Sequence, residues 1–197
     1  EKQGSGILFY EARLRYVRKE LPRQPLEAGF FLEKSLRSVR VETLGKGAPG
    51  APAGMARELS AGDLVLVDLS LVVPAAREYV VVDDPLPAGL EAIDPKLFTS
   101  ADWLKLSGFG DDSCVECAAS DEAGPGYAGL GPSFDRSEVR DDRVLFFADE
   151  LRAGLHHYRY LARATTYGRF VVPPARVEEM YEPEVFGRTA AAEVTVR

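Results

Sequence analysis

Apolar and polar residues alternate with a period of two along most of this chain, and this pattern constrains the fold more than any other feature of the sequence. The clearest case is the segment DLVLVDLSLVV, from Asp63 to Val73. Its two sets of alternating positions are Leu64, Leu66, Asp68 and Ser70, and Val65, Val67, Leu69 and Leu71. Successive side chains point to opposite faces of a β-strand. The sequence therefore predicts antiparallel strands with one face in the core.

Eight segments have strand character, and Gly, Pro and Asp residues separate them. They cover residues 7–17, 30–44, 63–73, 78–84, 142–151, 155–166, 169–174 and 192–197. The best helical segment, DPKLFTSADWLKL from Asp94 to Leu106, is short, with Asp94 as N-cap and Pro95 in the first turn. We predict an all-β fold: an antiparallel immunoglobulin-like sandwich with Greek-key connections, one short helical turn and a long loop.

Two loops and one boundary organise these strands. Residues 45–54, GKGAPGAPAG, are predicted to be a loop between strands, and residues 108–135 form a 28-residue segment with little sign of regular structure. Loops of that length are usually functional or disordered. The two prolines of LPRQP, residues 21–25, remove ladder donors. We therefore predict that residues 1–20 are the closing strand of a preceding domain and that residues 21–197 are one sandwich domain.

Composition argues against several classes of function. The chain has 197 residues and a formal net charge of −7, and its basic residues form no tract, so we expect no nucleic-acid partner. It has no run of 18 apolar residues, so no membrane-spanning helix is predicted. The start lacks both a signal peptide and an initiating Met, so we expect any secretion signal to lie upstream of this segment.

The two cysteines, Cys114 and Cys117, form a C-V-E-C motif within acidic surroundings that disfavour a reactive thiolate. A zinc site would need two further ligands. His156 and His157 are adjacent on a predicted strand, so one faces in and the other out, and they cannot share an ion. We predict a local disulfide or two loop thiols at the cysteines, and no metal site.

No catalytic constellation is evident in the sequence. The segments VDD, from Val82 to Asp84, and RDDR, from Arg140 to Arg143, are predicted to be strand-end turns, where Asp side chains bond nearby backbone. The chain has no G-x-S-x-G motif, no Walker A motif and no Rossmann fingerprint. Composition alone leaves a Ser-His-Asp triad open, but ordinary strand histidines are favoured, and we predict no catalytic residue and no cofactor.

Two long segments resemble a known family. YVVVDDPLPAGLEAIDP, from Tyr79 to Pro95, and the segment from Val139 to Arg188 are similar to the last macroglobulin-like domain of bacterial alpha-2-macroglobulins. GSGILFYEARLRY, residues 4–16, resembles the closing strand of the domain before it. The resemblance implies a C-terminal macroglobulin-like domain of a large periplasmic or cell-surface protein, often lipid-anchored at its far N-terminus. Members trap proteases after cleavage of a bait segment, and one branch captures the protease through a thioester while another lacks it.

The same resemblance implies a role for EEMYEPEVFGR, from Glu178 to Arg188, which by pattern alone is too irregular for a strand and is predicted to be a loop. In the family a Met-Tyr pair in this domain covers the thioester of a neighbouring domain, and Met180 and Tyr181 match that pair. An adaptable Met and a flat Tyr suit the exclusion of water. The alternative is that Met180, Tyr181 and Phe186 form a lid over their own core, and in both cases Phe186 is the expected anchor.

The C-V-E-C motif has Cys117 where a thioester requires Gln, so we expect no thioester in this chain and no activity of its own. The predicted partners are other domains of the parent chain, above all a thioester domain, and target proteases reached through that parent. Membrane contact is expected only through a lipid anchor outside this segment. Two rivals stay open: a stand-alone immunoglobulin-like adhesion or ligand-binding module, and a small redox or zinc protein built on Cys114 and Cys117.

Overall fold

The computed structural model describes residues 21–39, 54–94 and 134–197, together with residues 3–5, 7, 9, 11, 12 and 14. Several predictions lie wholly or mostly outside these residues: the strand at residues 7–17, the loop at residues 45–54, the helical turn after Asp94, the 28-residue segment, and the state of Cys114 and Cys117. The division of the chain after residue 20 also stays a prediction. Residues 21–25 are tied to the sandwich by at least one contact, because the amide of Ala191 donates to the carbonyl of Pro22 at 2.7 Å.

Thirteen strands and no helix make up the described part of the chain. They are β1 (Leu26–Ala28), β2 (Phe31–Val39), β3 (Glu58–Leu59), β4 (Leu64–Val73), β5 (Arg77–Pro85), β6 (Leu90–Ala92), β7 (Arg136–Val139), β8 (Arg143–Leu151), β9 (Gly154–Ala164), β10 (Gly168–Val172), β11 (Arg176–Glu179), β12 (Phe186–Arg188) and β13 (Ala192–Val196). The all-β prediction is confirmed. Six of these strands were not predicted, namely β1, β3, β6, β7, β11 and β12, and each has four residues or fewer, too few to show a period.

The strands form a six-stranded sheet in the order β1-β12-β11-β5-β8-β7, a four-stranded sheet in the order β2-β4-β9-β6 and a three-stranded sheet in the order β10-β13-β3. Among the described strands, only β13 and β3 pair in parallel. Inward side chains of all three sheets contribute to one hydrophobic core. The predicted antiparallel sandwich is therefore confirmed.

The alternation in β4 determines which of its faces meets the core. Val65, Val67, Leu69 and Leu71 are fully buried, so theirs is the face that meets the core. On the opposite sheet, Val80 and Val82 of β5 are also fully buried. Burying one side chain of this size stabilises the folded state by about 1.5–3 kcal/mol. The other face of β4 is only partly polar, because Leu66 is buried there with Leu161 in a second, smaller cluster.

A group of aromatic rings joins the sheets where the chain returns from the undescribed segment. Phe134 lies 3.9 Å from Tyr158 of β9 and 5.3 Å from Phe146 of β8, measured between ring centroids. Phe146 lies 5.6 Å from Tyr158, so the three rings are in mutual contact. Tilted and offset rings at these distances stabilise each other beyond their burial. Phe134 therefore attaches the start of the range 134–197 to the core.

A buried polar network also connects the two larger sheets. Lys34 of β2 forms an ion pair with Asp84 of β5, and both side chains are almost completely excluded from solvent. The hydroxyl of Tyr160, in β9, donates to the second oxygen of Asp84 at 2.7 Å. Lys34 also donates to the carbonyl of Pro85 at 3.2 Å. A buried charge is tolerable only when paired and hydrogen-bonded, and Asp84 has both kinds of partner.

The prediction that VDD is a strand-end turn is wrong, because all three residues lie inside β5 and Asp84 faces the core. The turn preference of Asp was outweighed by the pairing of β5 with β8, in which Asp84 lies opposite Val144. Burial raises the pKa of Asp84, and Lys34 and Tyr160 oppose that rise. By contrast, RDDR does contain the turn between β7 and β8, since the amide of Arg140 donates to the carbonyl of Arg143 at 2.9 Å.

Removing the cation tests this network. We expect Lys34→Met to lower the free energy of unfolding by about 3–5 kcal/mol at neutral pH, because it leaves the charge of Asp84 buried and unpaired. A carboxyl group whose pKa is higher in the folded than in the unfolded state destabilises the fold above that pKa. This destabilisation shrinks as the pH falls through that pKa. Urea denaturation at several pH values should therefore show a deficit that shrinks as the pH is lowered.

The double variant Lys34→Met/Asp84→Leu is the control, since it removes both charges and should recover most of the lost stability. A single variant that loses less than about 1 kcal/mol, or a deficit that grows in acid, would contradict this account.

Candidate interdomain site at the hairpin between β11 and β12

The segment Glu178 to Arg188 is a hairpin rather than an irregular loop. Strand β11 ends at Glu179 and β12 begins at Phe186, with Glu178 opposite Phe186 in the register. On its other side β11 pairs with β5, so the hairpin is an integral part of the six-stranded sheet. The loop prediction is correct only for residues 180–185, which we call the hairpin tip. The pattern missed both strands because Pro183 and four acidic residues break the alternation.

Met180 and Tyr181, at the start of the tip, face solvent. Met180 is 42% exposed and Tyr181 is 78% exposed. The alternative in which these two side chains close over their own core is therefore wrong. They are held at the end of a paired strand, because the amide of Met180 donates to the carbonyl of Tyr79 at 2.9 Å. The structure thus places two large apolar side chains outward on a hydrogen-bonded hairpin.

Val185, and not Phe186, anchors the tip to the core. Val185 packs against the main hydrophobic cluster. Its amide donates to the carbonyl of Glu182 at 2.8 Å and its carbonyl accepts from Glu179 at 3.1 Å, which closes the tip. Phe186 is only half-buried, with the guanidinium of Arg176 over its ring at 4.6 Å. The expected role of Phe186 is corrected, because the turn directs its neighbour inward instead.

Close packing at Gly29 fixes the position of this anchor. A Cβ at Gly29 would lie 2.7 Å from Cγ1 of Val185, and the backbone there has a φ of +112°. Both features require glycine. The connection between β1 and β2 therefore packs directly against Val185 at the base of the tip.

An ion pair lies beneath the exposed residues. Arg77, at the start of β5, is 3.7 Å from the carboxylate of Glu179, which is nearly buried. The same guanidinium lies 5.8 Å from the ring centroid of Phe30, a fully buried residue. A partly buried ion pair is screened less by solvent than a surface pair, and the aromatic face adds a cation–π attraction. The base of the hairpin is therefore held by charge, packing and hydrogen bonds together.

Tyr79 is a third exposed aromatic residue at this site, and sequence reasoning missed it. It is 44% exposed, and its ring lies 5.2 Å from that of Tyr181 in an edge-to-face arrangement at 90°. Among the described residues, it is the single non-glycine residue with a positive φ, of 52°. Its place in the apolar run of β5 gave no signal of either property, because φ cannot be read from a strand pattern.

Among the described residues, the histidines do not form a catalytic triad. His156 is buried, with Nε2 2.8 Å from the carbonyl of Arg152, and His157 lies on the opposite face, as predicted. Nδ1 of His157 is 3.1 Å from the hydroxyl of Ser70 and 3.5 Å from the carboxylate of Asp68. In a catalytic triad, the serine hydroxyl and the aspartate carboxylate contact different nitrogens of the histidine ring. Here both approach the same nitrogen, so the arrangement cannot relay a proton between them.

The described ranges lack two further features. No cluster of three or more His, Cys, Asp or Glu residues there could hold a metal ion. No helix among these residues is long and apolar enough to cross a membrane.

The fold and the tip together define an immunoglobulin-like β-sandwich domain that presents an apolar hairpin to solvent. The sequence model described as "Bacterial Alpha-2-macroglobulin MG10 domain" matches residues 29–184. The chain therefore belongs to the bacterial alpha-2-macroglobulin family, and the resemblance of its sequence to a macroglobulin-like domain of that family is confirmed.

Individual relatives agree with this assignment. An "Alpha-2-macroglobulin homolog" from Nostoc sp. is 27% identical over 196 residues, which is all of this chain and 9% of the relative. The alpha-2-macroglobulin of Escherichia coli K12 is 32% identical over 140 residues, or 68% of this chain and 7% of the relative. The trypsin-activated structure of an Escherichia coli alpha-2-macroglobulin aligns with a TM-score of 0.65 at 27% identity, covering 88% of this chain and 11% of that one. The chain thus spans roughly a tenth of these relatives.

Two substitutions separate the exposed and anchoring residues of the tip. We expect Val185→Ala to lower the free energy of unfolding by about 1.5 kcal/mol, because two methyl groups leave the core. We expect Tyr181→Ala to change it by less than about 0.5 kcal/mol, because most of that side chain faces solvent. Urea denaturation of the 197-residue chain measures both, and equal losses would contradict the assignment of Val185 as the anchor.

Proposed function

We propose that this chain is the non-catalytic C-terminal macroglobulin-like domain of a protease trap. In the resting state, Met180 and Tyr181 cover a thioester on a neighbouring domain of the same parent chain, by which we mean the longer protein that contains this domain. The observation that carries this proposal is the exposure of both side chains at the tip of a hairpin whose base is fixed.

The tip has the physical properties that a cover needs. Large exposed apolar side chains that lie together usually mark an interface. Met adapts to an irregular surface, and Tyr adds a flat apolar face with a polar end. Because Val185 and the ion pair between Arg77 and Glu179 hold the hairpin base, docking would order few additional groups. A preorganised tip binds at a lower entropic cost.

The chemistry of a thioester explains why such a cover is needed. An amine nitrogen that reaches the thioester carbonyl forms an amide bond while the carbon–sulfur bond breaks, and the cysteine leaves as a free thiol. Water reacts in the same way to give a carboxylic acid and the same thiol. Both reactions require access to the carbonyl, so apolar side chains packed over the bond slow them by excluding water and amines.

The rest of the proposal concerns the parent chain. Residues 1–20 are the closing strand of the preceding domain, and residues 21–197 are this domain. The parent lies in the periplasm or at the cell surface, where a lipid anchor outside this segment attaches it to a membrane, and it traps target proteases. The comparison with an Escherichia coli relative described as trypsin-activated supports a role that begins with proteolysis.

Neither of the two rival functions, a stand-alone adhesion or ligand-binding module and a small redox or zinc protein, has support from these observations. The relatives carry the matching segment within chains about ten times as long, which does not favour a stand-alone adhesion module. Cys114 and Cys117, on which a redox or zinc protein would depend, lie outside the described residues.

Methylamine tests the cover in the full-length parent protein. We expect Tyr181→Ala to increase the rate of methylamine-induced thiol release by about tenfold or more, because a gap over the thioester admits small amines. Thiol release is followed with a colourimetric thiol reagent under native conditions, and denaturation gives the total that can be released.

Tyr167→Ala is the matched control, since Tyr167 is 72% exposed but lies between β9 and β10, outside the hairpin. It should release thiol at the wild-type rate. The proposal fails if Tyr181→Ala matches this control, or if methylamine frees no thiol from the wild-type parent after denaturation.

A further inference from the structure

We propose that Tyr79 is a positioning residue that holds Tyr181 in its outward orientation. This inference rests on the proposed function for what Tyr181 is directed towards, but the positioning itself concerns only residues of this domain. Tyr79 contacts the tip through its backbone and through its ring, and the two contacts are independent.

The backbone of Tyr79 interrupts an otherwise regular strand. In the pairing of β5 with β8, Glu78 lies opposite Glu150 and Val80 lies opposite Ala148, while the pairing skips Tyr79. At this position the chain adopts a φ of 52°. Positive φ is unfavourable for residues with a side chain and is concentrated at functional positions, where the surrounding structure maintains it. The carbonyl of Tyr79 accepts the hydrogen bond from the amide of Met180 at 2.9 Å.

The ring of Tyr79 gives Tyr181 its one aromatic contact among the described residues, with centroids 5.2 Å apart and planes at 90°. An edge-to-face pair of this kind is attractive beyond the area it buries. Tyr181 is 78% exposed, so core packing does little to select its orientation. The contact with Tyr79 is therefore the interaction that favours one orientation over the other rotamers.

Glycine would adopt the backbone of residue 79 without strain. A tyrosine there keeps the strained backbone and places a ring beside the tip, where it is 44% exposed. The fold gains nothing in its core from this ring, because Tyr79 is outside the hydrophobic cluster to which Val80 and Val82 belong. Its contribution is at the surface, next to Tyr181, where it also enlarges the apolar patch of the tip.

Replacement of Tyr79 by glycine separates positioning from folding. In the 197-residue chain, we expect Tyr79→Gly to leave the urea midpoint at or above that of the wild type, because the strained backbone is relieved. The same variant should lose the ring-current shifts and nuclear Overhauser contacts of the Tyr181 ring, which selective labelling of tyrosine makes visible. Tyr79→Phe keeps the ring and should restore both signals.

The parent protein shows whether this orientation matters for the cover. We expect Tyr79→Gly to accelerate methylamine-induced thiol release, Tyr79→Phe to behave as the wild type, and Tyr167→Ala to have no effect. The inference is overturned if the Tyr181 ring keeps its wild-type signals in Tyr79→Gly. It is also overturned if Tyr79→Gly releases thiol at the wild-type rate while Tyr181→Ala accelerates release.

The two proposals fail in different ways. If Tyr181→Ala does not accelerate thiol release, the covering function is wrong, and the signals of the Tyr181 ring in the 197-residue chain then decide the positioning role alone.

Discussion

The ion pair between Lys34 and Asp84, completed by the hydroxyl of Tyr160, is the interaction on which the arrangement of the sheets depends. It joins β2 and β9 of one sheet to β5 of the other in a region with almost no solvent. Hydrophobic contacts are non-directional, so they hold two sheets together without selecting one register between them. A buried charge has few acceptable partners, and this requirement restricts how β5 can lie across the core.

The position of β5 matters because this strand connects the core to the candidate interdomain site. On one edge it pairs with β8, and on the other with β11, the first strand of the hairpin. Its inward residues Val80 and Val82 are buried, while Tyr79 turns out of the ladder towards the tip. A single strand therefore carries both the buried charge and the exposed aromatic contact. Backbone pairing with β11 and the side-chain contacts of Arg77 and Tyr79 attach the hairpin directly to this strand.

Long strands were predictable and short ones were not. The segments around β4, β8 and β9 each present nine or more residues, enough for a period of two to stand out. Strands such as β11 and β12 have four and three residues, and they exist because longer neighbours supply their hydrogen-bond partners. Asp84 was misassigned for a related reason. Its turn preference is a local property, whereas its burial depends on Lys34, 50 residues away in the sequence.

The sequence by itself determined the all-β class, the two-residue alternation of β4, the opposite orientations of His156 and His157, and the family, because all of these follow from patterns within continuous segments. Only the tertiary structure decided that Val185 and not Phe186 packs against the core, and that Tyr79 lies against Tyr181. Those outcomes depend on residues far apart in the chain: Gly29 opens space for Val185, and β11 brings Met180 to the carbonyl of Tyr79. Which residue of an exposed hairpin faces outward is set by what lies beneath it, and no local pattern encodes that.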